Sequence, residues 1–187
     1  MPVPIDLTLE QHLEGLRETR ALLLERGLAF KQNLATKPDS ESWSALEVLE
    51  HVLIVEGRVQ EQVRRSSAKL DIAKRVGVAA FIKSKIFALI VRLQVRVKVP
   101  TKEILPIGKM SLEEVQQKFA ELDADWENVL SQYNGSGLKL GVFKHPRFGW
   151  FSVRQTLDFL RGHTVHHLSQ LERLTTAKAT PLRPIQS

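Results

Sequence analysis

The sequence predicts an all-α chain, and three observations carry that expectation. Four segments repeat their apolar residues at the helical period, two of them open on reciprocal Ser-x-x-Glu/Gln caps, and the usage is that of an ordinary globular chain. The 187 residues suit one compact domain, 1–187, with a core of its own. Hydrophobic residues at 43% and charged residues at 26% exclude a disordered or collagen-like chain.

The first helix is expected from about Thr8, as N-cap, to about Leu34. Leu9, Leu13, Leu16 and Leu23 share its stripe, and Thr36-Lys37-Pro38-Asp39-Ser40 is the turn that ends it. The second begins near Ser44 and sets Val48, Val52, Val55 and Val59 at steps of four, three and four, an amphipathic seam. Residues 66–109 follow as a long connection or flap. Within it, 76–91 fits a short helix and 95–99 alternates apolar with basic residues like an extended segment, while Pro100 and Pro106 forbid a long regular element.

The third helix opens on Ser111-Leu112-Glu113-Glu114, where hydroxyl and carboxylate satisfy each other's amides. Its seam is Val115, Phe119, Leu122, Trp126 and Val129, and Asn134-Gly135-Ser136-Gly137 closes it. The fourth opens on Ser152-Val153-Arg154-Gln155 and is expected to reach about Thr175, leaving 176–187, with Pro181 and Pro184, as a loose tail.

Charge is uneven: of a formal +6, residues 58–109 hold 13 Lys/Arg against 3 Asp/Glu. Such a block suits nucleic acid or an anionic lipid surface. The aromatics that stack on bases are limited there to Phe81 and Phe87, so nucleic acid is not expected as a partner. Phe81, Ile82, Ile86 and Phe87 interleaved with Lys83, Lys85 and Arg92 read instead as an amphipathic flap over 78–92 that covers the bundle or a second subunit. Lysines and arginines interrupt this most apolar region, so no transmembrane helix is expected. The absence of cysteine removes disulfides and thiolate sites, the opening Met1-Pro2-Val3-Pro4-Ile5-Asp6 does not read as a secretory signal, and a cytoplasmic address is expected.

The chemistry lies on the fourth helix. With Leu160 at zero and about 100° per residue, Val153, Leu157, Leu171 and Leu174 define a buried stripe from about 320° to 60°. His167 falls inside it at about 340°, His163 on its edge at about 300°, and His166 off it at about 240°. Two readings of His163 and His167 stand side by side: each ring fills a core gap and bonds a polar neighbour, or the pair holds a metal, since positions i and i+4 project two ring nitrogens to one point. His51, at the edge of the second helix's seam, is a candidate third ligand. In a four-helix bundle it would complete a three-His set with a fourth position open.

At these residues the chain resembles a known family. Trp43-Ser44-Ala45-Leu46-Glu47-Val48-Leu49-Glu50-His51 is similar to the first signature of the DinB-like superfamily, whose members are named for DNA-damage inducibility and include metal-dependent hydrolases and thiol transferases. His145-Pro146-Arg147-Phe148-Gly149-Trp150 and His163-Thr164-Val165-His166-His167-Leu168-Ser169-Gln170 are similar to its closing signature. The resemblance spans most of 7–175. It implies a four-helix bundle with a long crossover between the second and third helices, His51, His163 and His167 as ligands of a divalent metal, often nickel or zinc, and a homodimer. A three-His metal would acidify a water, or a low-molecular-weight thiol, for hydrolysis or thiol transfer. The rival expectation is a non-catalytic metal-binding stress or interaction protein whose basic crossover engages a partner.

Three further residues carry open alternatives. Gln170, at about 280° on the wheel, either bonds a water or substrate at the metal or bonds a neighbouring helix. Glu47 either orients His51 or acts as a base, or is a first-turn acid favoured by the helix dipole. His145 lies near the site mouth with no assigned role. Phosphate-cradling glycine loops, the Gly-x-Ser-x-Gly elbow and His-Glu-x-x-His are all absent from the sequence.

Overall fold

The computed structural model describes residues 5–69, 75–76 and 102–179, and among these four helices carry the fold. Helix α1 is Leu7–Leu28, α2 is Ala45–Ser67, α3 is Leu112–Leu130 and α4 is Val153–Ala179. A two-stranded antiparallel hairpin, β1 Phe143–His145 and β2 Gly149–Phe151, precedes α4. The all-α class expected from periodicity is what the chain adopts, with this hairpin as the only sheet among the described residues.

Caps explain most boundaries. Ser44, Ser111 and Ser152 each accept from the amide three residues on, while Glu47, Glu114 and Gln155 reach back to the serine amides. Each such cap is worth about 1 kcal/mol. Two expected boundaries differ. The cap of α1 is Asp6, whose carboxylate accepts from the Thr8 amide at 2.9 Å, so Thr8 is the cap's partner rather than the cap. The helix then stops at Leu28, six residues short of Leu34, because the chain turns through a left-handed Lys31 (φ 49°) and buries Phe30. At the other end, α4 continues four residues beyond Thr175 to Ala179, no proline intervening before Pro181.

Pairs across the helices fix their directions. His12 meets Asp158, and Gly15 lies against Arg161, so α1 and α4 run parallel. Arg17 reaches Asp123 and Glu127 while Arg20 reaches Phe119 and Asp123, so α1 and α3 run antiparallel. Gln60 bonds the Leu122 carbonyl and Arg64 bonds Asp125, so α2 and α3 run parallel. The order is therefore up-down-down-up. A parallel α2–α3 pair obliges the connection to return along α2, whose 23 residues measure about 35 Å at 1.5 Å per residue. This is why the crossover is long.

The short helix expected over 76–91, the extended run at 95–99 and the flap of 78–92 lie outside the described residues, apart from Val76. Its amide donates to the Lys139 carbonyl at 2.9 Å, beside a bridge between Arg75 and Leu140. The expected stripe of α1 and seam of α2 are buried throughout; in α3, Leu122 alone stays partly exposed, and in α4, Leu174. They form two layers: Leu9, Leu13, Leu16, Val59 and Trp126 with the hairpin at one end, and Leu23, Val48, Val52, Phe119 and Leu171 at the other. Gly27 lets α1 close on α2, since a Cβ there would sit 2.8 Å from Leu49. Among the described residues, no helix is long and apolar enough to cross a membrane.

Candidate metal centre

The seam of α2 and the stripe of α4 face each other, and the histidines at their edges meet. One ring nitrogen from each of His51, His163 and His167 lies within 4.8 Å of the others. Ring centroids are 4.5 Å apart for His163 and His167, 4.7 Å for His51 and His167, and 5.2 Å for His51 and His163. His51 and His167 are buried; His163 stands at the rim, partly exposed, as the helical wheel predicts.

Hydrogen bonds decide where the protons sit. His51 donates from Nδ1 to the Ile104 carbonyl at 2.6 Å, an acceptor that leaves no other tautomer. His167 donates from Nδ1 to Gln170 Oε1 at 2.8 Å. Both rings therefore keep Nε2 as a lone pair. Nε2 of His163 lies 3.2 Å from Nε2 of His167. That is hydrogen-bond distance, with His163 donating to the His167 lone pair, and it is also close to the ~3.3 Å between two nitrogens bound at roughly 2.0–2.1 Å in a tetrahedral site.

The rings are neutral, which is the ligating state. Burial, and then His51, push His167 down to about 3, against the bond to Gln170. Burial, His167 and His51 hold His163 well below the ordinary imidazole value, and burial lowers His51 despite its bond to Ile104. Three imidazoles in their neutral form, with two proton positions fixed by outer partners, fit a divalent ion by the chemistry of the donor set.

Aromatic rings wall the cluster. Trp43 lies 4.8 Å from His51 and stacks on His167 at 6.3 Å, centroid to centroid. Phe159 stacks on His163 at 6.0 Å and separates it from His145, whose ring is 5.1 Å beyond. His145 accepts at Nδ1 from the Arg147 and Phe148 amides, shaping the hairpin turn, and burial followed by Arg147 pushes it down to about 4. His166 stands edge-on to His167 at 5.2 Å, outside the convergent group.

Glu47 takes the quieter of its two expected places, and Gln170 takes neither of its own, since it bonds His167 one turn away on α4 itself. Gln170 orients His167. The Glu47 carboxylate accepts from the Ser44 amide at 2.8 Å and pairs with Lys37 at 2.9 Å, so it closes the α2 cap rather than orienting His51. Burial raises its pKa, but those partners hold the net value below the usual one. The orienting group is the Ile104 carbonyl, contributed by the returning crossover, and no sequence pattern pointed to it. Nor did one single out Glu50, which is buried beside His51 and binds the same stretch of chain.

No curated protein and no solved structure matches the chain. The family model of the DinB superfamily matches residues 15–171, a span that holds all four helices except the ends of α1 and α4 and includes all three convergent histidines. With the bundle, the caps and the histidine cluster agreeing with that match, the chain belongs to the DinB superfamily.

Proposed function

We propose that the chain is a metal-dependent enzyme of the hydrolase or thiol-transferase kind, with His51, His163 and His167 as ligands of one divalent ion, nickel or zinc. The observation that carries the reading is the convergence of three neutral imidazole nitrogens within 4.8 Å, two of them with the proton fixed on the far side of the ring. An ion held by three uncharged ligands keeps its full charge, so it supplies a Lewis acid that favours an anion in the open position and acidifies a water or a low-molecular-weight thiol there. The chain's own residues do the rest. Ile104 and Gln170 hold the rings, and Trp43 and Phe159 exclude water from two sides. Metal analysis of gently purified protein tests the site, and a screen of ester, amide and thiol-adduct substrates with nickel or zinc restored tests the chemistry. Turnover that disappears in His163→Ala while helicity persists is the expected result; metal-free protein with full turnover would refute the reading.

One observation favours the second reading, a metal-binding protein without catalysis. Among the described residues the convergent group contains histidines alone, and the carboxylates of Glu47 and Glu50 beside His51 are engaged by backbone amides. A hydrolase commonly sets an acid or base beside the attacked bond. A homodimer in the cytoplasm fits either reading and is supported by the family resemblance; light scattering on the full chain tests the dimer, with twice the 21.2 kDa chain mass expected.

A further inference from the structure

Glu50 precedes His51 in α2 and is only 1% exposed. A carboxylate at that depth needs donors to offset its lost hydration. It finds them in the returning crossover: Oε2 accepts from the Gly108 amide at 2.7 Å and Oε1 from the Ile107 amide at 3.2 Å. The same stretch supplies the Ile104 carbonyl that His51 bonds at 2.6 Å. Between these points lies Leu105-Pro106, where the proline ring fixes one torsion and restricts its neighbour, so the amides and the carbonyl move together. Gly108 completes the fit. Its φ of +69° suits glycine, and a Cβ there would lie 3.2 Å from Glu47.

We propose that Glu50 is a positioning residue for the histidine cluster: by clamping the Ile107 and Gly108 amides it holds the Ile104 carbonyl on His51 Nδ1, and so keeps Nε2 of His51 free of a proton. Without the clamp the carbonyl is no longer held in place, His51 can carry its proton on Nε2, and an N–H then faces the other two rings where a lone pair is required. The effect on metal affinity rests on the metal reading above. The effect on the His51 proton does not.

The experiment is long-range ¹⁵N–¹H correlation NMR of the histidine rings in the full-length, metal-free protein, paired with nickel titration. Wild type should show His51 with its proton on Nδ1. In Glu50→Ala that signature should be lost while those of His167 and His145 persist, and nickel should bind about 10–100-fold more weakly. Glu50→Gln, which keeps one acceptor and stays closer to the native volume, should show a smaller change of the same sign and serves if the alanine variant does not fold. A wild-type His51 protonated on Nε2, or a folded Glu50 variant whose His51 signature matches wild type, overturns the proposal. If the signature depends on Glu50 yet nickel binds neither protein, the clamp stands and the metal reading falls.

Discussion

Two polar clusters interrupt the core, both built on α2, and they are opposite in kind. Around Glu56, charges of both signs meet: Arg20 lies 3.5 Å from Glu56 and 3.0 Å from Asp123, it donates to the Phe119 carbonyl, and the Trp126 indole donates to Glu56 at 2.9 Å. Five residues earlier, His51 meets two other neutral imidazoles and the Ile104 carbonyl, with nothing of opposite charge in the convergent group. The first cluster sets opposite charges against each other, although Arg20 Nε and Glu56 Oε2 have no hydrogen-bond partner among the described residues. In the second, Nε2 of His163 stands 3.2 Å from Nε2 of His167, so a proton carried on His163 bridges that pair, and a divalent ion would take its place. Opposite charges brought together at Glu56 serve the fold, whereas neutral imidazole nitrogens converging from two helices suit a cation.

Breaking the closed cluster should cost most. Arg20→Ala strands Glu56, 1% exposed, and removal of one partner of a buried pair costs about 3–5 kcal/mol. At about 2–4 °C per kcal/mol for a chain of this size, thermal unfolding should move down by roughly 10 °C. Nickel uptake by the folded fraction should be unchanged. The open cluster should behave in the reverse way. His167→Ala should lower the metal-free melting temperature by less than Arg20→Ala does, since the cavity it leaves strands no charge. Nickel at about 100 times its dissociation constant should stabilise wild type and Arg20→Ala by about 2.7 kcal/mol and His167→Ala not at all.

The two clusters should also respond to pH with opposite sign. The site histidines titrate near 6.5 when unfolded and lower when folded, His167 at about 3. Below pH 6.5 the unfolded chain therefore takes up protons that the native state refuses. Metal-free protein should lose roughly 1 kcal/mol per pH unit through His167 as pH falls from 6.5 toward 3, with His51 and His163 adding losses of the same sign. Burial raises Glu56 above its ordinary 4.5, against the pull of Arg20 and Trp126. Its contribution is present below 4.5 and lost as pH rises through the folded value. Denaturant titrations across pH should show the acid-side loss shrink in His167→Ala and the opposing limb vanish in Glu56→Gln. The smallest effect belongs to Lys37, half exposed in its pair with Glu47: Lys37→Ala should change stability by less than about 1 kcal/mol and leave nickel binding alone.

What was legible in the sequence was periodic or local. The buried stripe of α4 located His167 inside and His163 at the rim, because one rotation per residue fixes both at once, and Ser111 and Ser152 announced their helices through partners three residues away. Partners far along the chain left no such trace. Ile104 and His51 are 53 residues apart, and nothing in the intervening sequence, broken by Pro100 before Ile104, sets one against the other. The hairpin at 143–151 has three-residue strands, too short for alternation to stand out, and Pro146 and Gly149, the latter with a positive φ, are the local hints of its turn. Glu47 had two roles open to it, and the choice depended on Lys37, ten residues away across a turn.

The most direct test of the central claim is the metal content and nickel affinity of wild type beside His163→Ala. Three converging rings predict about one divalent ion per chain, with nickel quenching Trp43, the indole that contacts His51. His163→Ala should keep its helicity and lose both the ion and the quenching. Wild-type stoichiometry and affinity in that variant, or no binding by wild type at neutral pH, would contradict the account.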